Sequence, residues 1–138
     1  MVVEIKVSNV VDIAKVHEGV LRLESVRTTT PRAIVDTGAT LLVLPEEIIA
    51  RLGIPAVRQV TSRVANGRRM ERPVYGPVRV EVQGRVVNCD TLSSPPGGPA
   101  FLGQIPLEGL DFVVDLQGQR LIPNPKAPDP NLALVDVF

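Results

Sequence analysis

The stretch Ala33-Ile34-Val35-Asp36-Thr37-Gly38-Ala39-Thr40-Leu41-Leu42-Val43-Leu44 decides how the rest of the chain is interpreted. It places one carboxylate, Asp36, between two apolar runs of the kind that form buried strands. A charged group at the end of a buried strand is costly unless it is paired or changes its proton affinity. Asp36 is therefore either a turn residue that caps local N–H groups or an acid/base group. The Asp-Thr-Gly motif occurs once in the chain.

Composition predicts one domain with an aliphatic, strand-rich core. The chain has 138 residues, of which 44% are apolar and only 3% aromatic, and it has no Trp. A core of this kind must be built from Val, Leu and Ile, and the β-branched members favour strands. Thirteen prolines and eleven glycines also favour short strands and turns over long helices.

Charge and cysteine content exclude several classes of protein. Basic and acidic residues balance at 15 each, so we expect neither a nucleic-acid partner nor a membrane. We interpret the cluster Arg68-Arg69 with Arg72 as a solvated hairpin face. The single cysteine, Cys89, predicts a buried small side chain and no disulfide, and we expect no metal or cofactor. The N-terminus lacks the pattern of a secretory signal, which predicts a soluble, cytoplasmic protein.

Local patterns predict strands at 2–7, 20–26 and 32–35, and they leave 10–17 open between a strand and a loose turn. Asn66-Gly67 predicts a hairpin that joins 57–64 to 69–75. Further hairpins are expected for 78–82 with 86–89, turning at Gln83-Gly84, and for 112–116 with 119–122. A helix is expected to begin around Pro45 and end at Gly53, and a shorter one to occupy part of 105–110.

The last sixteen residues differ from the rest. Residues 123–130 are rich in proline and look extended, whereas 132–138 are apolar, as in a terminal strand that needs a pairing partner. We therefore expect a folded domain over residues 1–122 and a proline-rich tail with a terminal strand over residues 123–138.

The motifs around and after Asp36, taken in chain order, resemble those of the retroviral-type (retropepsin-like) aspartic proteases, in particular their small bacterial relatives. The similarity covers roughly residues 20 to 122, which makes it more specific than one tripeptide. The residues that carry it are Val35-Asp36-Thr37-Gly38-Ala39-Thr40, Leu44-Pro45, Leu52-Gly53-Ile54, Val64-Ala65-Asn66-Gly67-Arg68, Phe101-Leu102-Gly103, Leu107-Glu108-Gly109-Leu110 and Val113-Val114-Asp115.

The resemblance implies a mostly β fold, a closed and largely antiparallel barrel-like acid-protease domain with one or two short helices. It implies that Asp36 is the catalytic carboxylate and that Thr37, Gly38, Ala39 and Thr40 form and support its loop. The hairpin tip Ala65-Asn66-Gly67-Arg68 would be the flap over the substrate. The chain departs from many viral members at Gln104-Ile105-Pro106, in its more charged flap and in its longer tail.

Hydrolysis of a peptide bond by carboxylates needs two of them, one to accept a proton from water and one to donate a proton to the carbonyl oxygen. With one motif per chain, a C2 homodimer supplies the pair from Asp36 and its symmetry mate. The predicted function is therefore an aspartic endopeptidase that acts on peptides or proteins as a homodimer. Two alternatives stay open: a catalytically weak or inactive peptide-binding domain of this fold, and an assembly domain in which residues 132–138 matter most.

Overall fold

Strands are the main secondary structure of the protein, whose computed structural model describes residues 1–63 and 66–137. The helical segments are α1 (Val10–His17), a 3-10 turn (Leu23–Ser25), α2 (Glu46–Leu52) and α3 (Gln104–Leu110). The strands are β1 (Val2–Glu4), β2 (Lys6–Asn9), β3 (Thr28–Thr29), β4 (Arg32–Val35), β5 (Leu42–Pro45), β6 (Ala56–Arg63), β7 (Arg69–Val82), β8 (Arg85–Ser94), β9 (Ala100–Leu102), β10 (Phe112–Asp115) and β11 (Arg120–Pro123).

One nine-stranded sheet organises the chain, in the order β1-β4-β9-β5-β8-β7-β2-β3, with β6 paired to β7. Strands β10 and β11 form a separate hairpin. Most pairings are antiparallel, but β4 with β9 and β5 with β8 are parallel. The expected mostly β fold is confirmed. The parallel pairs bring together strands far apart in sequence, and they place β9 between the strands that flank Asp36.

The core is aliphatic, as the composition predicts. Helices α2 and α3 contribute to the same buried cluster as the sheet. Its fully buried large side chains include Ile5, Leu42, Leu44, Leu52, Leu102 and Leu110.

The hairpins and the helix that were predicted from turn-forming residues are confirmed. Chain reversals occur at the predicted Asn66-Gly67 and Gln83-Gly84 positions, with φ of 80° at Gly67 and 84° at Gly84. Helix α2 begins after Pro45 and ends at Gly53, whose φ of 67° is the left-handed conformation that glycine adopts without strain.

Two local predictions before Asp36 need correction. Residues 10–17, left open between strand and turn, form α1, because the side chain of Asn9 accepts a hydrogen bond from the Asp12 N–H (2.9 Å) and caps the helix. The strand predicted for 20–26 is wrong: the segment contains the 3-10 turn, and Val20 and Leu23 are 69% and 73% exposed. β2 pairs instead with Thr28–Thr29.

An ion pair between the buried Asp12 and the half-exposed Arg27 holds the segment before β3 against α1. The carboxylate of Asp12 is 4% exposed and accepts three hydrogen bonds from Arg27: from the backbone N–H (3.0 Å), from Nε (2.9 Å) and from Nη2 (3.0 Å). The side-chain hydrogen bonds from Arg27 are the main cause that lowers the pKa of Asp12 to about 2. Asn9 extends the network by donating to the Leu52 carbonyl at the end of α2 (2.8 Å).

Replacing Asp12 by Asn is expected to destabilise the protein at neutral pH by about 1–2 kcal/mol, after allowance for solvent screening around the half-exposed Arg27. A depressed folded-state pKa stabilises the protein above the unfolded-state value and loses this effect as pH falls through the folded value. The difference between wild type and variant should therefore shrink between pH 4 and pH 2. Urea unfolding across this range measures it. Glu18→Gln, at an exposed acid after α1, is the control, and a gap that is constant with pH would contradict the assignment.

The C-terminal tail is tied to the domain by a buried arginine. Arg85, 5% exposed, donates to the carbonyls of Leu110 (2.9 Å) and Asp111 (2.7 Å) at the end of α3. It also donates to the tail carbonyls of Pro130 (2.7 Å) and Leu132 (3.3 Å). Residues 131–137 form no strand within the described part of this single chain. The boundary at 122/123, and a strand that forms against a second chain, stay predictions.

Candidate active site

The carboxylate of Asp36 lies at the carboxyl end of β4 and is half-buried. Its backbone N–H donates to the Leu102 carbonyl (3.1 Å), so the ladder between β4 and β9 continues up to the acid. Its Oδ1 accepts the Gly38 N–H (2.9 Å), and its carbonyl accepts the Ala39 N–H (3.2 Å). The turn therefore fixes the direction of the carboxylate through its own backbone. The same hydrogen bonds are expected if Asp36 is only a turn residue that caps local N–H groups, so they do not by themselves distinguish the two interpretations of Asp36.

The segment after β9 holds the Asp36 loop from outside. The N–H groups of Gln104 and Ile105 donate to the carbonyls of Ala39 (2.7 Å) and Thr40 (2.9 Å). Gly103 lies so close to the loop that a Cβ there would meet the carbonyl oxygens of Leu41 and Ala39, the latter at 2.7 Å. Only glycine fits without moving the loop. The sequence contains the motif Phe101-Leu102-Gly103, but only the structure shows that residues 103–105 form a clamp on the Asp36 loop.

The remaining predicted loop residues lie on the surface beside the acid. Thr37, Gly38 and Thr40 are exposed, and Ala39 is half-buried. Thr37 lines a cavity of about 360 Å³ between the Asp36 loop and the β10–β11 hairpin. The other residues that line it are Met1, Val35, Val114, Leu116 and Gln119. The loop therefore borders an open concavity that is lined by four apolar and two polar residues.

An apolar row crosses five strands on the sheet face opposite the core. Val2 pairs with Ile34, Ile34 with Phe101, Phe101 with Val43, and Val43 with Leu92. Val2 is 48% and Ile34 37% exposed, and the other three are half-buried. Since alternate residues of a strand share a face, the row leads towards Asp36, two residues beyond Ile34.

Sequence reasoning missed this apolar row. The signal was present, because Ala33-Ile34-Val35 and Ala100-Phe101-Leu102 are continuous apolar runs without alternation. Such runs indicate strands that have apolar residues on both faces.

The predicted flap residues lie at the tip of the β6–β7 hairpin. Asn66, Gly67 and Arg68 are exposed, and the Arg68 N–H donates to Asn66 Oδ1 (2.9 Å). Ala65 lies outside the described residues, as does Val64. The hairpin is confirmed, and its role as a flap stays a prediction.

Two other kinds of site, a reactive cysteine and a metal site, are not formed by the described residues. Cys89 is buried as predicted, and burial raises the pKa of its thiol to about 12, which leaves no thiolate near neutral pH. Across residues 1–63 and 66–137, no three His, Cys, Asp or Glu side chains stand close enough to hold a metal ion. No described helix is long and apolar enough to cross a membrane.

Comparison with known proteins agrees with this geometry. The family model described as "gag-polyprotein putative aspartyl protease" matches residues 24–113, which is well over half of the chain and includes Asp36 and the clamp after β9. Among solved structures, the solution structure of the simian foamy virus (mac) protease is similar, with 20% sequence identity and a TM-score of 0.50. That match covers 78% of this chain and 91% of the viral one, and at this identity it shows a shared fold. No curated protein matches the sequence. The chain belongs to the gag-polyprotein aspartyl protease family, whose fold is that of the retropepsin-like aspartic proteases.

Proposed function

We propose that this protein is an aspartic endopeptidase that works as a C2 homodimer, with Asp36 of each chain as the catalytic pair. The observation that carries the proposal is the Asp36 loop itself. One Asp-Thr-Gly loop, clamped by the segment after β9, presents a half-buried carboxylate beside the exposed Thr37 and Gly38. Such a loop is half of the site that the reaction needs, because a single carboxylate cannot serve as acid and base at once.

In the proposed mechanism the two Asp36 carboxylates share one proton, since two acids in contact cannot both ionise. The charged one accepts a proton from a water that attacks the scissile carbonyl. The protonated one donates its proton to the carbonyl oxygen, which gives a tetrahedral diol. As the diol breaks down and its C–N bond is cleaved, the Asp36 that took the proton from water donates it to the leaving amine. The other Asp36 accepts a proton from a diol hydroxyl, which restores the shared proton of the pair. The Gly38 N–H bound to Oδ1 keeps each carboxylate oriented during these transfers.

The dimer interface is proposed on the face that carries Thr37 and the tip of the β10–β11 hairpin. Leu116 at this tip is 75% exposed and borders the cavity lined by Thr37, Val35 and Met1. An apolar projection beside a concavity with mainly apolar lining residues offers the self-complementarity that a twofold interface requires. Docking through this face brings the two Asp36 loops towards each other.

The substrate is proposed to be an extended peptide with apolar side chains at the cleavage site. The apolar row across β1, β4, β9, β5 and β8 leads to Asp36, and its exposed members offer contacts to such side chains. The β6–β7 hairpin would cover the peptide and supply backbone hydrogen bonds to it.

Specific activity is expected to rise with protein concentration, because only the dimer holds the catalytic pair. The test is hydrolysis of a quenched fluorescent peptide with an apolar centre, over a range from well below to well above the dimer dissociation constant found by sedimentation. The rate per chain should follow the dimer fraction. A rate per chain that is constant while the protein passes from monomer to dimer would overturn the paired-Asp36 mechanism.

A further inference from the structure

The β6–β7 hairpin concentrates positive charge in a chain whose formal net charge is zero. Residues 56–72 carry one acid, Glu71, and five arginines: Arg58, Arg63, Arg68, Arg69 and Arg72. The rest of the chain carries ten basic and fourteen acidic residues. The hairpin is therefore strongly cationic, and it projects from a domain with a net negative charge.

These arginines are largely unneutralised within the described residues. Among them, only Arg58 lies within 4.0 Å of a carboxylate, that of Asp90 at 3.6 Å. Arg63 and Arg69 are direct cross-strand partners. Like charges in this arrangement destabilise a strand pair unless a counter-charge is near. An anion bound along the hairpin would relieve this repulsion.

The alternation of side chains divides the arginines between the two faces of the hairpin. Arg72 pairs with Val60 and shares a face with Val74, which is fully buried, so this face is the more enclosed one in this part of β7. Arg72 and Val60 are both half-buried. Arg63 and Arg69 lie on the opposite, exposed face. Arg58 lies on the same face as Arg72, but it is exposed and lies against Asp90. Arg72 is thus the hairpin arginine that is placed to contact a molecule held beneath the hairpin, while the others act through the field.

We propose that the hairpin selects acidic peptides, with a carboxylate that flanks the apolar cleavage segment bound by Arg72. This inference rests on the proposed function, in which the hairpin covers the substrate. Guanidinium groups suit the purpose because they bind carboxylates in a bidentate manner. A peptide fits better than a nucleic acid, since residues 56–72 contain no aromatic side chain to stack on bases and the rest of the chain repels a polyanion.

Binding is tested with Asp36→Asn protein, so that hydrolysis does not interfere. Three labelled peptides share one apolar centre and carry Glu, Gln or Lys flanks, and fluorescence anisotropy gives their affinities at low and high salt. The Glu peptide should bind about tenfold more tightly than the Gln peptide at low salt, with a smaller advantage at high salt. Arg72→Gln should remove most of this advantage, and Arg72→Lys should retain part of it. Arg51→Gln, at an exposed arginine of α2, is the matched control and should change nothing.

Several outcomes overturn the inference. Equal affinity for the Glu and Gln peptides does so, as does a failure of all three to bind. Single-stranded DNA that binds as tightly as the Glu peptide, with the same loss in Arg72→Gln, assigns the hairpin to nucleic acid instead. Wild-type protein that cleaves Glu and Gln peptides equally overturns the charge preference and leaves the proposed function intact. A charge preference in binding without any cleavage by wild type overturns the proposed function and leaves the preference.

Discussion

Replacing Asp36 by Asn is expected to abolish peptide hydrolysis, with a fall in kcat of about a thousandfold or more, while peptide binding is retained. The amide neither accepts the proton of the attacking water nor shares a proton with its partner, so the general acid–base contribution is lost. The fold should survive, because an Asn side-chain oxygen can still accept the Gly38 N–H that now bonds to Oδ1. Kinetics on the quenched peptide and anisotropy on the uncleaved one measure the two effects separately.

Subunit mixing makes this test specific for a shared site. When wild type and Asp36→Asn are mixed in equal amounts and allowed to exchange, only about a quarter of the dimers carry two aspartates. The rate per wild-type chain should then fall by about half relative to wild type alone, provided that one aspartate per dimer is insufficient. Asp129→Asn, at an exposed acid in the tail, is the matched control and should leave the rate unchanged. An unaltered rate per wild-type chain after mixing would show that each Asp36 works independently.

If the protein is instead a peptide-binding domain of the same fold, the wild type should bind the peptide fully and hydrolyse it little. In that case Asp36→Asn would change neither quantity. The comparison therefore separates the two interpretations of Asp36, because a capping residue and a catalytic residue respond alike in folding but differently in rate.

Much of the local structure was predictable because its causes are local. Asn66-Gly67 favours the positive φ that a tight hairpin needs, and Gly53 ends α2 for the same reason. The strand that delivers Asp36 was readable from its apolar run. Helix α1 was missed because its start depends on one cap, although Asn9 followed by Asp12 was a usable signal.

The arrangement around Asp36 could not be predicted to the same extent, because its causes are distant in sequence. The clamp joins the backbone at 39–40 to the backbone at 104–105. Apart from Gly103, no residue type in these segments indicates that the two will be in contact. The apolar row arises from the parallel pairing of β4 with β9 and of β5 with β8. Parallel neighbours need long connections, so their register is invisible to patterns read over ten or fifteen residues.

The tip of the β10–β11 hairpin supplies the second large expected effect: Leu116→Asp should dissociate the dimer and with it the activity. An aspartate at a twofold interface places an unpaired charge, and its symmetry mate, in a desolvated apolar contact. Such a charge costs about 3–5 kcal/mol. This raises the dimer dissociation constant by roughly a hundredfold to several thousandfold. Sedimentation velocity should show a monomer at concentrations where the wild type is dimeric.

The monomer itself should stay folded, because Leu116 is 75% exposed in the single chain and contributes little to its core. Circular dichroism and the midpoint of thermal unfolding at low concentration, where both proteins are monomeric, should agree with wild type. Leu23→Asp is the matched control, since Leu23 is 73% exposed and lines a different cavity, beside α1. That variant should remain dimeric and active. A Leu116→Asp protein that stays dimeric with full activity would move the interface to another face. A stable monomer that still cleaves peptides would exclude pairing of Asp36 altogether.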